Sequence, residues 1–292
     1  MMKTAYFPGC SLHSTAKEYD ASWRLTSRKL GIELQEIPRW ICCGAASAQV
    51  TSHLLSVSLP CRNLALVEEM GLDTVITPCA ACFNRLKVAN QEVAENLQLK
   101  KDVEEVLGKP YGGKVTIKHP LEVIVKDIGL EEVRKMARRK LQGLKIASYY
   151  GCLLVRPPKV TSFDDPEDPQ SMDNLVTALG GEALPWAFKT ECCGASFSLS
   201  DTDIVFELSG EILNGALEAE AECIIVACPL CQSNLDLRQK GIEKRYGKKL
   251  NLPILYFTEL LGLALDMNVR ELGLSKHMVS PAKILEKVGF EI

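Results

Sequence analysis

The sequence predicts an α/β protein made of two pseudo-symmetric repeats, each a small parallel-sheet unit carrying one five-cysteine site. Three observations lead there. A cysteine doublet followed by glycine occurs twice, as Cys42-Cys43-Gly44-Ala45-Ala46-Ser47 and as Cys192-Cys193-Gly194-Ala195-Ser196. Each copy has the same companions, a Gly-Cys before it (Cys10, Cys152) and a Cys-x-x-Cys after it (Cys79/Cys82, Cys228/Cys231). Matching cysteines are offset by 142 residues for the first pair and by 149 or 150 for the other four. Around these markers, strand-like and helix-like segments alternate in the same order in both halves, the pattern of a parallel sheet.

The first element of each half is a strand, Thr4-Ala5-Tyr6-Phe7 and Lys145 to Tyr150, closed by Pro8-Gly9 and by Gly151. Helical stretches follow near Glu18 to Leu30 and near Met172 to Leu179, stopped by Gly31 and Gly180 as helix ends prefer. Short segments with a proline and a tryptophan, Ile37 to Trp40 and Leu184 to Trp186, lead into the doublets. Apolar residues at helical spacing then run from about Ser52 to Met70 and from about Asp203 to Ala219. Next come the apolar strands Thr74 to Thr77 and Cys223 to Ala227, short enough and apolar enough to be buried on both faces. Each runs into its Cys-x-x-Cys, which opens another helix. Val115 to Lys118 and Ile254 to Phe257 supply a last strand per half. These repeats predict two domains, 1–143 and 144–292, meeting near Gln142-Gly143. Two stretches are unshared: Glu92 to Gly113, read as a charged surface helix, and Phe163 to Gln170, a polar insertion or a lip over the site.

Composition narrows the class. The 292 residues are 47% hydrophobic and 24% charged, the balance of a soluble globular chain. A formal net charge of -3 argues against a nucleic-acid binder. The first residues lack a signal peptide's basic-then-apolar pattern. No apolar run reaches the ~18 residues that span a bilayer, and Leu252 to Met267 is interrupted by Pro253, Glu259 and Asp266. The expectation is a cytoplasmic protein without direct membrane insertion, in which twelve cysteines are not a disulfide framework. Cys61 and Cys223 lie outside the repeat and read as small buried residues.

The ten repeated cysteines read as cluster ligands. Cys10, Cys79, Cys152 and Cys228 each follow a strand, at the sheet edge where open α/β folds gather ligands. The Cys-x-x-Cys pairs lie at helix starts, whose free N–H groups suit anionic sulfur. Structural zinc and an ordinary 4Fe–4S cube need four ligands, whereas each half offers five, so the set suggests an unusual cluster or a spare thiolate.

The double pattern Gly9-Cys10…Cys42-Cys43-Gly44…Cys79-x-x-Cys82 and Gly151-Cys152…Cys192-Cys193-Gly194…Cys228-x-x-Cys231 resembles the twin cysteine-rich "CCG" domains, and over the whole chain most resembles the B subunit of heterodisulfide reductase. The resemblance implies two noncubane 4Fe–4S clusters, one held by Cys10, Cys42, Cys43, Cys79 and Cys82 and one by Cys152, Cys192, Cys193, Cys228 and Cys231. It implies reductive cleavage of the coenzyme M–coenzyme B disulfide. Electrons would then arrive from a small ferredoxin-like partner (the C subunit), which is fed in turn by a flavin-bearing partner (the A subunit) or a membrane cytochrome. Splitting a disulfide takes two electrons and yields two thiolates, so two facing clusters could deliver one electron each. Both coenzymes are anionic, which directs attention to Arg85, Arg156 and Lys159 as substrate contacts. His13, three residues after Cys10, is a weak candidate proton donor; His53, His119 and His277 have no stronger case. An alternative is the iron–sulfur component of another such oxidoreductase (fumarate, glycolate or lactate, quinone-linked). The absence of a ferredoxin-like Cys-x-x-Cys-x-x-Cys segment favours the first reading. A zinc-stapled scaffold is the reading of a different class.

Overall fold

The chain, described as a computed structural model over residues 2–45, 47–139 and 141–290, contains two four-stranded parallel sheets of the same design. Ala46 of the first doublet stretch lies outside the described residues. Strands β1 (Met2–Tyr6), β2 (Ile32–Glu36), β3 (Thr74–Ile76) and β4 (Thr116–Lys118) are ordered β2-β1-β3-β4. Strands β5 (Lys145–Tyr149), β6 (Glu182–Ala183), β7 (Cys223–Val226) and β8 (Ile254–Tyr256) are ordered β6-β5-β7-β8. The pseudo-symmetric α/β architecture expected from the repeat is therefore the one adopted.

The strand order fixes where a ligand site can lie. From β1 the chain crosses outward to β2, and from β3 it crosses the other way to β4. The loops leaving the carboxyl ends of β1 and β3 thus diverge and open a crevice between them. Cys10 follows β1, and Cys79 and Cys82 follow β3. Cys152 stands in the same relation to β5, and Cys228 and Cys231 to β7. The two inner strands of each sheet carry the core. Ala5, Tyr6, Val75 and Ile76 are fully buried, as are Ile146, Ala147, Ile224, Ile225 and Val226. Short apolar β7 is buried along its whole length, as a strand covered on both faces must be.

Helix limits match the sequence patterns to within a residue or two: Lys17–Lys29, His53–Glu69, Ser171–Ala178 and Thr202–Glu218. The charged stretch after Glu92 is the end of the Ala80–Glu95 helix and a second helix, Leu97–Leu107, capped by Gly108 in the left-handed region. Edge strands β2 and β6 were not anticipated. Ile32-Glu33-Leu34-Gln35-Glu36 alternates with period 2, a signal that was present, but β6 is only two residues long.

The packing is less separable than the repeat. The helical segments after β4 (Pro120–Glu122 and Leu130–Met136) pack against Ser171–Ala178 of the second half. The segments after β8 (Phe257–Ala264 and Val269–Leu272) pack against Lys17–Lys29 of the first. Each half thus lends its last helices to the other. Every residue of Phe257–Ala264 is buried, which accounts for the apolarity of that stretch inside a globular interior. Direct bonds join the halves: Ser22 Oγ to Thr258 Oγ1 at 2.7 Å, and Asn84 Nδ2 donating to the carbonyls of Leu153 (3.2 Å) and Arg156 (2.7 Å).

Candidate metal centre

The glycines come first, because they allow the thiols to approach. Gly9 has φ 71°, and a Cβ there would lie 2.9 Å from Cys82 Sγ; Gly151 has φ 68°, and its Cβ would lie 3.0 Å from Cys231 Sγ. Only glycine satisfies both the left-handed backbone and the sulfur beside it. Gly44 and Gly194 turn the doublets with φ 77° and 76°, and each directs its N–H to the sulfur two residues back, Cys42 and Cys192, at 3.4 Å. Cys79 and Cys228 are the N-cap residues of the helices Ala80–Glu95 and Pro229–Leu237, so Cys82 and Cys231 sit in the first turn. Pro229 occupies the first helical position, where its missing N–H costs nothing.

Within each half the five sulfurs converge. Cys43 Sγ and Cys82 Sγ are 3.3 Å apart, and Cys193 Sγ and Cys231 Sγ are 3.5 Å apart. Cys10 hydrogen-bonds Cys42, and Cys152 hydrogen-bonds Cys192. Within each Cys-x-x-Cys the two thiols also lie close enough to shift one another's ionisation. The sets meet across the two halves, where the Cys79 and Cys228 thiols lie close enough to shift one another's ionisation. All twelve cysteines are free; Cys43, Cys79, Cys82, Cys193, Cys228 and Cys231 are buried, while Cys10, Cys42 and Cys192 reach the surface. Cys61 and Cys223 are buried in the core, away from both sets.

Crowded thiols cannot all ionise, and the arrangement selects which do. The hydrogen bond from Cys10 lowers the Cys42 thiol to about 2, and that from Cys152 lowers Cys192 to about 6. Cys10 and Cys152 are driven up by donating those bonds and by burial. Cys228 is lowered by the Cys231 and Cys79 thiols and by the N–H groups of Cys231 and Leu230 at its helix start. Among the described residues, no three His, Cys, Asp or Glu side chains are set to hold a single metal ion. Five soft sulfur donors around a shared space fit a polynuclear iron–sulfur group. At the second site that space is a cavity of about 150 Å³ lined by Cys152, Cys192, Cys193, Cys228 and Cys231.

The other expected residues divide. Arg85 lines the same cavity, half-buried, with the Gln49 side chain against its guanidinium. Arg156 is not brought there; it donates to Glu167 Oε2 (2.9 Å) and Thr190 Oγ1 (3.0 Å). Lys159 lies exposed on the short helix Pro158–Thr161. His13 is turned to Glu36 Oε1 at 3.2 Å and stacks edge-on against Trp40. The insertion after Phe163 borders a groove of about 540 Å³ with Glu167, Asp168 and Lys189, which no cysteine lines. Sequence reasoning passed over Asn234, which donates to the Cys193 carbonyl (3.0 Å) and points toward its sulfur (3.7 Å). It stands where Arg85 stands in the first half, three residues after the second cysteine of the Cys-x-x-Cys.

Fold and thiols together define a protein of twin cysteine-rich repeats. The cysteine-rich CCG domain matches residues 4–87 and 146–236, and the chain belongs to that family. It is 34% identical over 283 residues to the membrane anchor subunit of 8-methylmenaquinol:fumarate reductase from Wolinella succinogenes, covering 96% of this chain and 98% of that one. It is 30% identical over 276 residues to a protein of Archaeoglobus profundus that is like the B subunit of heterodisulfide reductase, covering 92% of each. To the B subunit of the ferredoxin:CoB-CoM heterodisulfide reductase of Methanosarcina mazei it is 29% identical, over 99% of this chain and 97% of that one. The resemblance expected from the cysteine pattern thus extends over nearly the whole chain. A crystal structure of a hypothetical protein from Helicobacter pylori shares the fold, with a TM-score of 0.76 at 15% identity; it covers 95% of this chain, which spans 52% of that one. Among the described residues no helix is long and apolar enough to cross a membrane.

Proposed function

We propose that this chain is the iron–sulfur component of a multi-subunit oxidoreductase, with one noncubane 4Fe–4S cluster in each of the units 1–143 and 144–292, and that it reduces a mixed disulfide of the coenzyme M–coenzyme B type. The observation that carries the reading is the convergence of five repeated cysteines in each half, the two sets touching where Cys79 faces Cys228. When bound, the clusters would supply one electron each and a Lewis-acidic iron for each departing sulfur. The chain's own contribution is the donor set and its surroundings. Buried Cys43, Cys79 and Cys82, with Cys193, Cys228 and Cys231, form the floor of each site, and the surface-reaching doublet residues Cys42 and Cys192 form its rim. The helix start at Cys228 offers two N–H groups to sulfur. Arg85 and Gln49 reach into the second-site cavity from the first half, and Arg85 is the cation we assign to the anionic end of the substrate. Electrons would come from a ferredoxin-like partner, itself fed by a flavin-bearing one, on the cytoplasmic side.

The 34% identity to a component of a fumarate reductase favours a second reading, in which the chain passes electrons and cleaves no disulfide. Anaerobic purification with iron and sulfide assay, then paramagnetic resonance with and without coenzyme M, separates the two. Roughly eight iron and eight sulfide per chain and a coenzyme-sensitive cluster signal are expected for the first reading. Full iron with an insensitive signal selects the second, and a protein with zinc and no sulfide overturns both.

A further inference from the structure

His119 is a fully buried histidine that belongs to neither thiol set. It follows β4 and caps the short helix Pro120–Glu122, where its Nδ1 accepts from the Leu121 N–H at 3.2 Å. With Nδ1 serving as acceptor, the hydrogen-bond network assigns the ring proton to Nε2. Nε2 lies 2.7 Å from the Pro78 carbonyl and 3.1 Å from the Ala227 carbonyl. Those two residues immediately precede Cys79 and Cys228, the pair through which the two thiol sets touch. The Tyr19 hydroxyl converges on the same two oxygens, at 3.1 Å from Pro78 and 3.4 Å from Ala227.

Two carbonyl oxygens facing each other across an interface repel unless donors stand between them. Here two protons, from His119 and Tyr19, serve two acceptors, one from each half. Phe83 and Phe257 close around the imidazole, so water cannot take over the task. The symmetry is broken in a telling way. Both donors belong to the first half. By strand register, Tyr256 occupies the position in the second half that matches His119, since Ile76 pairs with Lys118 and Ile225 with Leu255. Among the described residues its hydroxyl has no hydrogen-bond partner, and its ring stacks on Tyr19 at 4.1 Å. The second half therefore presents its carbonyl and braces Tyr19.

We infer that His119, seconded by Tyr19, is a positioning residue that holds the Cys79 and Cys228 turns together and so sets the separation of the two clusters. The inference rests on the cluster reading above. It adds that the spacing between the clusters is set by a clamp of two side-chain donors on main-chain oxygens, outside the cysteines themselves. His119→Phe removes the donor while keeping a buried ring, His119→Gln returns an amide N–H near the Nε2 position, and Tyr19→Phe removes only the hydroxyl.

The test is paramagnetic resonance of the reduced, cluster-loaded protein, read for magnetic interaction between the clusters, beside iron content and thermal midpoint. Wild type is expected to show an interaction splitting. His119→Phe and Tyr19→Phe should keep full iron yet lose or shift the splitting, with His119→Gln restoring it. Unchanged splitting in both deletions at full iron, whatever the thermal midpoint does, overturns the clamp and leaves the cluster reading standing. Full iron without interaction in the wild type also overturns the clamp alone, whereas a wild type devoid of iron overturns the cluster reading and the clamp with it. If His119→Phe does not fold, Tyr19→Phe and His119→Gln carry the same comparison.

Discussion

The two five-cysteine sites share a backbone and differ in what surrounds it. In both, a left-handed glycine lets a Cys-x-x-Cys sulfur come close, and a doublet glycine bonds the sulfur two residues back. Beyond that they diverge. Three residues after its Cys-x-x-Cys the first half carries Arg85, which reaches the second-site cavity, and the second half carries Asn234, a neutral donor beside Cys193. Cys10 is exposed, whereas Cys152 is half-buried. Cys42 is held far more acidic than Cys192. Both side-chain donors to the Pro78 and Ala227 carbonyls come from the first half, and the cavity beside the second cysteine set is lined in part by Gln49 and Arg85 of the first. Duplication preserved the thiols and the turns that aim them, while charge, access and bracing were free to specialise. Equivalent donor sets can thus serve inequivalent tasks.

The largest expected effect breaks the comparison outright. On the proposed reading of one cluster per half, Cys43→Ser and Cys193→Ser should each remove one cluster and leave roughly half the iron, because a deprotonated sulfur ligand would be lost. Cys61→Ala should retain all of the iron at a cost of about 1 kcal/mol. Iron assay and urea unfolding read both, and equal iron loss in Cys61→Ala would erase the distinction between repeated and core cysteines.

The next contrast is between two buried histidines. Burial pushes His277 down, but Glu259, Asp236 and Glu18 around it outweigh burial and raise it to about 9. Its stabilisation is complete below the unfolded value of about 6.5 and is lost as pH rises toward about 9, on the order of 2–3 kcal/mol. Burial lowers His119 to about 4, so its contribution is complete above about 6.5 and lost as pH falls toward about 4. Urea midpoints across pH should fall on both sides of neutrality, with His277→Gln flattening the alkaline limb and His119→Gln the acid one. A single limb removed by both variants would contradict the opposite charge states.

Glycine substitution sharpens the shared part. Gly9→Ala and Gly151→Ala should each cost about 1–3 kcal/mol from the left-handed backbone, and both should weaken iron binding through the sulfur at 2.9 or 3.0 Å. Gly31→Ala, equally left-handed at φ 76° but with nothing near its Cβ, should cost stability and spare iron. The smallest effect separates the two specialised positions. Asn234→Ala should cost about 1 kcal/mol by removing one of two donors to the Cys193 carbonyl, Ser209 Oγ being the other. Arg85→Gln should change stability by less than about 0.5 kcal/mol and register instead in substrate affinity.

Much of this was legible in the residue order. The near-constant offset between cysteines announced the repeat, and apolar periodicity with terminal glycines, a local signal, located the helices closely. The same locality explains the omissions. Strand β6 is held by two pairs to β5 and has no pattern of its own. His13 and Arg156, each close in sequence to a cysteine, are turned aside by Glu36 and by Glu167 with Thr190. Proximity along the chain could not foresee those partners.

The chain's own order therefore settled the repeat, the helices and the strands that lead into the cysteines, since each depends on residues a few positions apart or on a motif that recurs. Only the folded molecule decided that the terminal helices of each half cover the other, that Cys79 meets Cys228, and that His119 and Tyr19 stand between the carbonyls beside them. Those contacts join residues tens to hundreds of positions apart. They exist because burying two apolar helix faces across the interface brings together main-chain oxygens that then require donors.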